Sequence, residues 1–237
     1  MKTVLASGVL VRQDDKSQSE YHIRRLEAND FKEVCRLQQL VLDSLEDKDC
    51  FLGRPHGIVW ECLQDRGSAI GIYVRENLIA YRMLYYPGSF NLGDLAGLPS
   101  TEWSKVAHLE VEAVHPMYRG NGLQQLMGAP LLALAGDMRG KRYLCSVVSP
   151  KNYPSIKDKL ALGLSIVNLI TLPGGSWRFV FCQDRLRKVD IDLNSVIKVA
   201  AEEREIQLEL LAQGYIGFCI EKSQNGFKIC FGTQRAV

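Results

Sequence analysis

A hydrophobic run ending at Val114 is followed by His115-Pro116-Met117-Tyr118-Arg119-Gly120-Asn121-Gly122, and a helical pattern opens at once with Leu123-Gln124. A strand-to-helix turn of this kind leaves several backbone N–H groups without intrahelical partners, at the positive end of a helix dipole. Such a turn binds anions, phosphate and pyrophosphate above all. Gly120 and Gly122 let the chain curl and let a ligand approach without a Cβ in the way, and Arg119 adds a fixed positive charge. The turn is read as a grip on a phosphorylated ligand. On the strand before it, His108, Glu110, Glu112 and Val114 fall on one face by two-residue alternation, with Ala107, Leu109, Val111 and Ala113 on the other. Carboxylates on a strand expected to be central are expensive unless paired. The three ionisable residues are therefore candidates for proton transfer, or else line a wet cleft or pair with Arg or Lys.

The bulk of the chain sets the frame. Its 237 residues suffice for one large domain, or for a domain of about 150–170 residues with an extension. A hydrophobic content of 46% with 24% charged residues is that of a soluble globular protein. A formal net charge of +2 gives no electrostatic case for nucleic acid, and Arg139/Lys141/Arg142 and Arg185/Arg187/Lys188 read as solvated faces. The seven cysteines (Cys35, Cys50, Cys62, Cys145, Cys182, Cys219 and Cys230) include no CxxC pair, so no metal site and no disulfide framework is expected. The short apolar run at 3–11 is broken by Ser7 and Gly8 and reads as a strand, not a leader. No apolar run is long enough to span a membrane, and a cytoplasmic location is expected.

The elements that must position the turn follow from periodicity and punctuation. A lead-in over 1–20 precedes a main domain over 21–185, and a tail occupies 186–237. A strand at 21–26 leads to a helix capped by Asn29 or Asp30, on which Phe31, Val34, Cys35, Leu37, Leu40 and Val41 recur at helical spacing. A second helix covers 58–64. Two β-rich runs, 70–74 and 78–85, flank Arg75-Glu76-Asn77 as a hairpin. Residues 87–100 read as a long surface loop, 106–114 as the strand feeding the glycine turn, and 123–135 as the helix after it. A strand at 142–148, a helix at 154–162 and strands at 166–172 and 177–182 complete the domain. In the tail, 193–212 reads as one charged amphipathic helix, followed by strands at 215–220 and 227–231 around an Asn225-Gly226 turn. The tail is too small for its own core and is expected to pack on the main sheet or on a partner subunit, which leaves a homodimer open.

Two familiar phosphate loops do not fit. A dinucleotide fingerprint needs a third glycine where Gln125 stands, and a triphosphate loop needs Gly-Lys-Ser/Thr where Gly122 is followed by Leu123-Gln124. The pattern Val114-x-Pro116-x-Tyr118-Arg119-Gly120-x-Gly122-Leu123 instead resembles the acetyl-CoA motif of the GNAT family of N-acetyltransferases. The element order over about 21–182 resembles that family too, and Ser149-Pro150-Lys151-Asn152-x-x-Ser155-Ile156 with Gly163-Leu164 echoes its later segments.

The resemblance implies an α/β (α+β) fold with a mixed, mostly antiparallel central sheet flanked by helices, here with a C-terminal helix and hairpin. It implies acetyl-CoA as co-substrate, an amine of a small molecule or peptide as acceptor and direct attack in a ternary complex; charge, apolar run lengths and cysteine spacing have already spoken against nucleic acid, membrane and metal as partners. It places an oxyanion donor at the Val114 N–H, the pyrophosphate on Arg119, Gly120, Asn121, Gly122, Leu123 and Gln124, and the pantetheine near Asn152. Glu110, four residues before Val114, sits where the family often has an acidic base, and Glu112 and His108 follow it. The chain departs from the pattern at Gln124, where Gly or Ala is usual, and at Lys159, where the family's Tyr acid would fall, so Tyr153 becomes the alternative acid. Cys145 reads as core. Tyr85, Tyr86, Phe90, Trp103, His56 and Trp60 could line an acceptor pocket or simply pack. The departures also keep open an acyl-CoA-binding regulatory or assembly protein with little catalysis, and a different phosphorylated ligand.

Overall fold

The computed structural model describes residues 3–88, 90–136, 140–224 and 226–235. In chain order they form β1 (Val4–Val11), β2 (Gln18–Arg25), α1 (Phe31–Asp43), α2 (His56–Cys62), β3 (Gly67–Val74), β4 (Asn77–Tyr85), α3 (Leu92–Leu95), β5 (Val106–Val114) and α4 (Leu123–Leu134). There follow β6 (Tyr143–Val148), α5 (Tyr153–Ala161), β7 (Ser165–Thr171), β8 (Trp177–Asp184), β9 (Ile197–Ala200), α6 (Arg204–Ala212), β10 (Ile216–Ser223) and β11 (Gly226–Gly232). They gather into two compact units, 1–87 with 108–140, and 88–107 with 141–237.

In the first unit the strands lie in the order β1-β2-β3-β4-β5, each antiparallel to the next. β4 shows how alternation builds both faces. Tyr81, Met83 and Tyr85 join Val34, Leu37 and Val41 of α1 and Val59 and Cys62 of α2 in one apolar core. α4 packs against β3 and β4 as well, and Arg82, the residue between, reaches it from the opposite face. The start of α1 is fixed by charge. Both Nη atoms of Arg24 bind Asp30, at 3.0 and 2.9 Å, and Asp30 also accepts the Glu27 N–H at 2.9 Å. The Arg24 guanidinium lies 4.0 Å over the Tyr73 ring, a desolvated place where such a pair holds its geometry.

The second unit orders its strands β6-β8-β7-β10-β11-β9, again antiparallel at each pairing. Two expectations change here. The single helix expected over 193–212 is a strand and then a shorter helix. Ile197 and Val199 pair with Phe231 and Ile229 of β11, so their β-branched side chains serve a sheet. The charged run at 202–205 marks a helix start, with Glu203 accepting the Ala200 N–H at 2.8 Å. The expected open loop at 87–100 holds α3, with Leu92 buried. There Asn91 donates to the Trp103 carbonyl at 2.7 Å, and the Trp103 indole donates to the Leu98 carbonyl at 3.0 Å. Of the expected Asn225-Gly226 turn, Asn225 lies outside the described residues, and the flanking Ser223 and Gly226 pair across the hairpin. The seven cysteines are free thiols. Cys145 is buried opposite Cys182, and the hydrogen bond with that thiol, then burial, push its own thiol far up, as suits a core residue.

The Arg24–Asp30 pair predicts that Asp30→Ala strands a largely buried guanidinium and opens the capping box of the turn that leads into α1. The expected cost is about 3 kcal/mol, read as a lower urea midpoint at unchanged m. A shift below about 0.5 kcal/mol, typical of a surface pair, would contradict this account of how α1 is held.

Candidate active site

The glycine turn is braced from β1. His115 donates its backbone N–H to Ile79 O at 2.8 Å, so the adjoining Ala80–Val114 pair is of the type without mutual hydrogen bonds, and the Val114 N–H is directed away from β4. His115 Nδ1 then accepts the Met117 N–H at 3.2 Å. Beyond a single tight turn at Pro116–Tyr118, Gly120 and Gly122 sit at φ +80° and +66°, where any other residue is strained. Gly122 is the N-cap of α4, and no side chain caps it. The first intrahelical bond runs from Leu126 N–H to Gly122 O at 3.0 Å, so α4 itself does not use the N–H groups of Leu123, Gln124 and Gln125. Arg119, Gly120 and Gly122 are exposed, and a Cβ on Gly122 would meet no atom within 4 Å. Exposed donors, open space above Gly122 and a neighbouring guanidinium fit a diphosphate.

Asn121 does something the sequence did not suggest. Its Oδ1 accepts Val11 N–H at 2.9 Å, and its Nδ2 donates to Val11 O at 2.7 Å and Tyr118 O at 3.0 Å. Gln13 adds its own N–H to Met117 O and its Nε2 to Arg119 O, both at 2.8 Å. The Asn121 side chain therefore ties the turn to β1, and a ligand can use only its backbone. Leu123 is buried and likewise offers a backbone N–H alone.

On β5 the expected shared face is split. Opposite β4 the register runs Arg82↔Glu112 and then Leu84↔Leu109, so Glu110 and Val111 together face Met83. An extra residue of this kind is a β-bulge, and it inverts the alternation on one side. His108 and Glu110 lie toward α1 and α2 with Val111 and Ala113, which belong to that core. Glu112 points to the other face. There Arg82 Nε lies 3.2 Å from Glu112 Oε2, with both side chains buried. Gln124 Nε2 donates to Glu112 Oε1 at 3.1 Å, and Arg82 Nη1 donates to the Gln124 carbonyl at 2.9 Å. The unusual Gln124 is thus the third member of a latch joining the first turn of α4 to the sheet. Glu112 is committed to that latch.

Glu110 sits in a second network. Arg54 Nε donates to its Oε2, and His108 Nδ1 lies 3.4 Å from its Oε1. Burial opposes its charge, but the His108 hydrogen bond and the Arg54 guanidinium outweigh burial and hold the carboxyl below its usual range. Arg54 is itself placed by the buried Gln38 of α1, which accepts its N–H and donates to its carbonyl, each at 3.0 Å. The Tyr81 hydroxyl donates to Gln38 Oε1 at 3.3 Å. Tyr85 packs edge-on to His108 with centroids 5.9 Å apart and donates to Glu61 at 2.8 Å. Sequence reading missed Arg54 and Gln38. A single Arg before a Pro carries no periodic signal, and its partner lies 56 residues away.

In the second unit, Asn152 is the N-cap of α5, its Oδ1 accepting Ser155 N–H at 3.1 Å. Tyr153 opens that helix and packs edge-on against Phe227, centroids 5.0 Å apart. Lys159 is buried, not exposed, with Nζ 3.1 Å from Asp158 Oδ2. Among the described residues no cluster of His, Cys, Asp and Glu could hold a metal, and no helix is long and apolar enough to cross a membrane.

No protein-family model matches the sequence, and no curated protein matches it. Solved structures do match the fold. One is Arabidopsis thaliana NAA60 in complex with acetyl-CoA, with a TM-score of 0.54 at 14% identity, covering 70% of this chain and 99% of that one. An N-acetyltransferase from Staphylococcus aureus Mu50 gives 0.53 at 14%, over 70% and 98%. Diaminobutyrate acetyltransferase EctA from Paenibacillus lautus, solved with its substrate L-2,4-diaminobutyric acid and coenzyme A, gives 0.50 at 16%, over 73% and 99%. The chain has the fold of the GNAT N-acetyltransferases.

The latch and the turn each carry a prediction. Arg82→Met alone leaves Glu112 buried without its cation and is expected to cost about 3–5 kcal/mol, whereas Arg82→Met with Glu112→Leu recovers most of that loss. Additive losses in the double-mutant cycle would dissolve the latch. Burial, and then the cations Arg12 and Arg119, hold the His115 imidazole below its usual value. Its contribution to stability is therefore full above about pH 6.5 and is lost as pH falls through that value toward the lowered folded-state one. Melting temperature should drop between about pH 7 and 5, and His115→Gln should flatten part of that drop; an unchanged slope in the variant rules His115 out as its source.

Proposed function

We propose that this chain is an acetyl-CoA-dependent N-acetyltransferase that transfers the acetyl group directly to an amine of a small molecule or peptide. One observation carries the reading: an exposed, uncapped helix N-terminus entered through two left-handed glycines, immediately after a bulged strand whose last N–H faces away from its neighbour. The fold it shares with acetyltransferases solved with acetyl-CoA and with CoA supports the same cofactor.

When bound, acetyl-CoA supplies a thioester carbon open to an amine nucleophile. The N–H groups of Gly120 through Gln124, with the Arg119 guanidinium, hold the diphosphate. The Val114 N–H donates to the acetyl oxygen as negative charge gathers there. Glu110 is the base. Held ionised by Arg54 and His108, it accepts the ammonium proton through a bridging water, and the contacts that keep it ionised also lower its basicity. Glu112 holds α4 and takes no proton. A CoA thiolate, with a thiol pKa of about 8.5, leaves without obligatory protonation and regains its proton from solvent.

The same ion pair favours one competing reading, an acyl-CoA-binding protein with little turnover, because a carboxylate tied to Arg54 is a weak base. Titration calorimetry with CoA and acetyl-CoA, followed by free-thiol release over a panel of amines, separates the two. Both ligands should bind, and Gly122→Val should weaken them at least tenfold by filling the space above the turn. Release of thiol that depends on an amine supports the enzyme; binding without release leaves the binding protein. With an accepted amine, Glu110→Gln should lower kcat/KM about a hundredfold at unchanged affinity for acetyl-CoA. Full activity of that variant at every pH would remove Glu110 as base.

A further inference from the structure

Arg54 does more than neutralise Glu110. Among the described residues its guanidinium donates through Nε to Glu110 and nowhere else, so the outer edge of the fork has no partner. Yet the residue is built in with care. Its backbone is clamped on both sides by the amide of Gln38, which is buried and itself held by the Tyr81 hydroxyl. A surface arginine that only softened a buried carboxylate would need no such clamp. The Arg54 side chain keeps 26% of its surface, against 5% for Glu110, so the fork is the open side of the pair and the carboxylate the closed side.

We propose that Arg54 is the anchor of an acceptor subsite that takes a carboxylate, and that the acceptor is a small amino acid. An unpaired guanidinium edge presents two parallel N–H donors, a geometry that matches a carboxylate in bidentate fashion. Because the guanidinium and the Glu110 carboxylate are in contact, a molecule that engages both carries its anionic group and its amine only a few bonds apart. That spacing describes an amino acid. A polyamine offers no carboxylate, and the α-amine of a peptide has a neutral amide beside it. The bound pair then alternates in charge: acceptor carboxylate, Arg54, Glu110, acceptor amine. The tie between Arg54 and Glu110, which weakens the base, becomes the device that sets the amine beside it. His108, against the far oxygen of Glu110, holds that carboxylate in place.

The identity of the reacting amine rests on the acetyltransferase reading; the carboxylate subsite does not, and the two are tested apart. Calorimetry with a panel of L-amino acids and the matching amino acid amides reads the subsite without turnover. At least one amino acid should bind tenfold or more tightly than its amide. Arg54→Lys, which keeps a cation beside Glu110 and so guards the fold, should remove most of that preference while amide binding changes less than twofold, and Arg54→Ala, which also releases Glu110, should abolish the preference. Thermal melts confirm that the variants are folded. If no amino acid binds, if acids and amides bind alike, or if the Arg54 variants weaken both equally, the proposal is overturned. Should amino acids bind with this preference while no amine drives thiol release, the subsite stands and the acetyltransferase reading falls. Acetylation of amides and simple amines as fast as of amino acids, unchanged by Arg54→Lys, overturns the subsite and leaves the acetyltransferase reading in place.

Discussion

One extra residue in β5 organises the first unit. With Glu110 and Val111 together opposite Met83, the strand changes which face each side chain serves. Without the bulge, Glu110 and Glu112 would share a face and repel each other in a desolvated layer. With it, each carboxylate meets its own arginine from a different element: Arg54 before α2 for one, Arg82 of β4 for the other. The bulge also resets the pairing ahead of the turn, so that the Ala80–Val114 pair directs the Val114 N–H away from β4.

The two carboxylates then differ in what they can do. The Glu112 network ends in the backbone of Gln124, so its charge holds the helix whose first turn offers the anion donors. A bulky side chain at that position looks like an obstacle to a phosphate, but Gln124 turns its amide onto Glu112 at 3.1 Å and contributes to rigidity. The Glu110 network ends in a half-buried guanidinium fork. One network fixes the scaffold and the other faces solvent. That division of labour follows from burial, since an ion pair closed on both sides can only be structural, while one open on a single side can exchange partners.

Much of this frame was legible in the sequence because the signals were local. The limits of β5 and the start of α4 follow from Pro116, Gly120 and Gly122, whose backbone preferences act within a few residues. The helical repeat of Val34, Leu37 and Val41 gave α1. The bulge was invisible because alternation assumes an unbroken ladder, and nothing in His108–Val114 marks the extra residue. Arg54, Gln38 and Gln13 went unremarked because their partners are brought near only by folding. β9 was absorbed into a helix since the charges at 202–205 weigh more in a helical pattern than Ile197 and Val199 do alone, and it takes the β11 edge to reverse that. Lys159 is buried on a helix where sequence gave it no partner; Asp158 beside it supplies one.

The central claim is that the N-terminus of α4 and the turn before it grip the diphosphate of a CoA thioester. Backbone amide shifts of the isotope-labelled protein, followed as acetyl-CoA is added, test it most directly. Saturable shifts, largest at Gly120 through Gln125, are expected. Binding that leaves those amides unmoved, or no binding at millimolar acetyl-CoA, would contradict it.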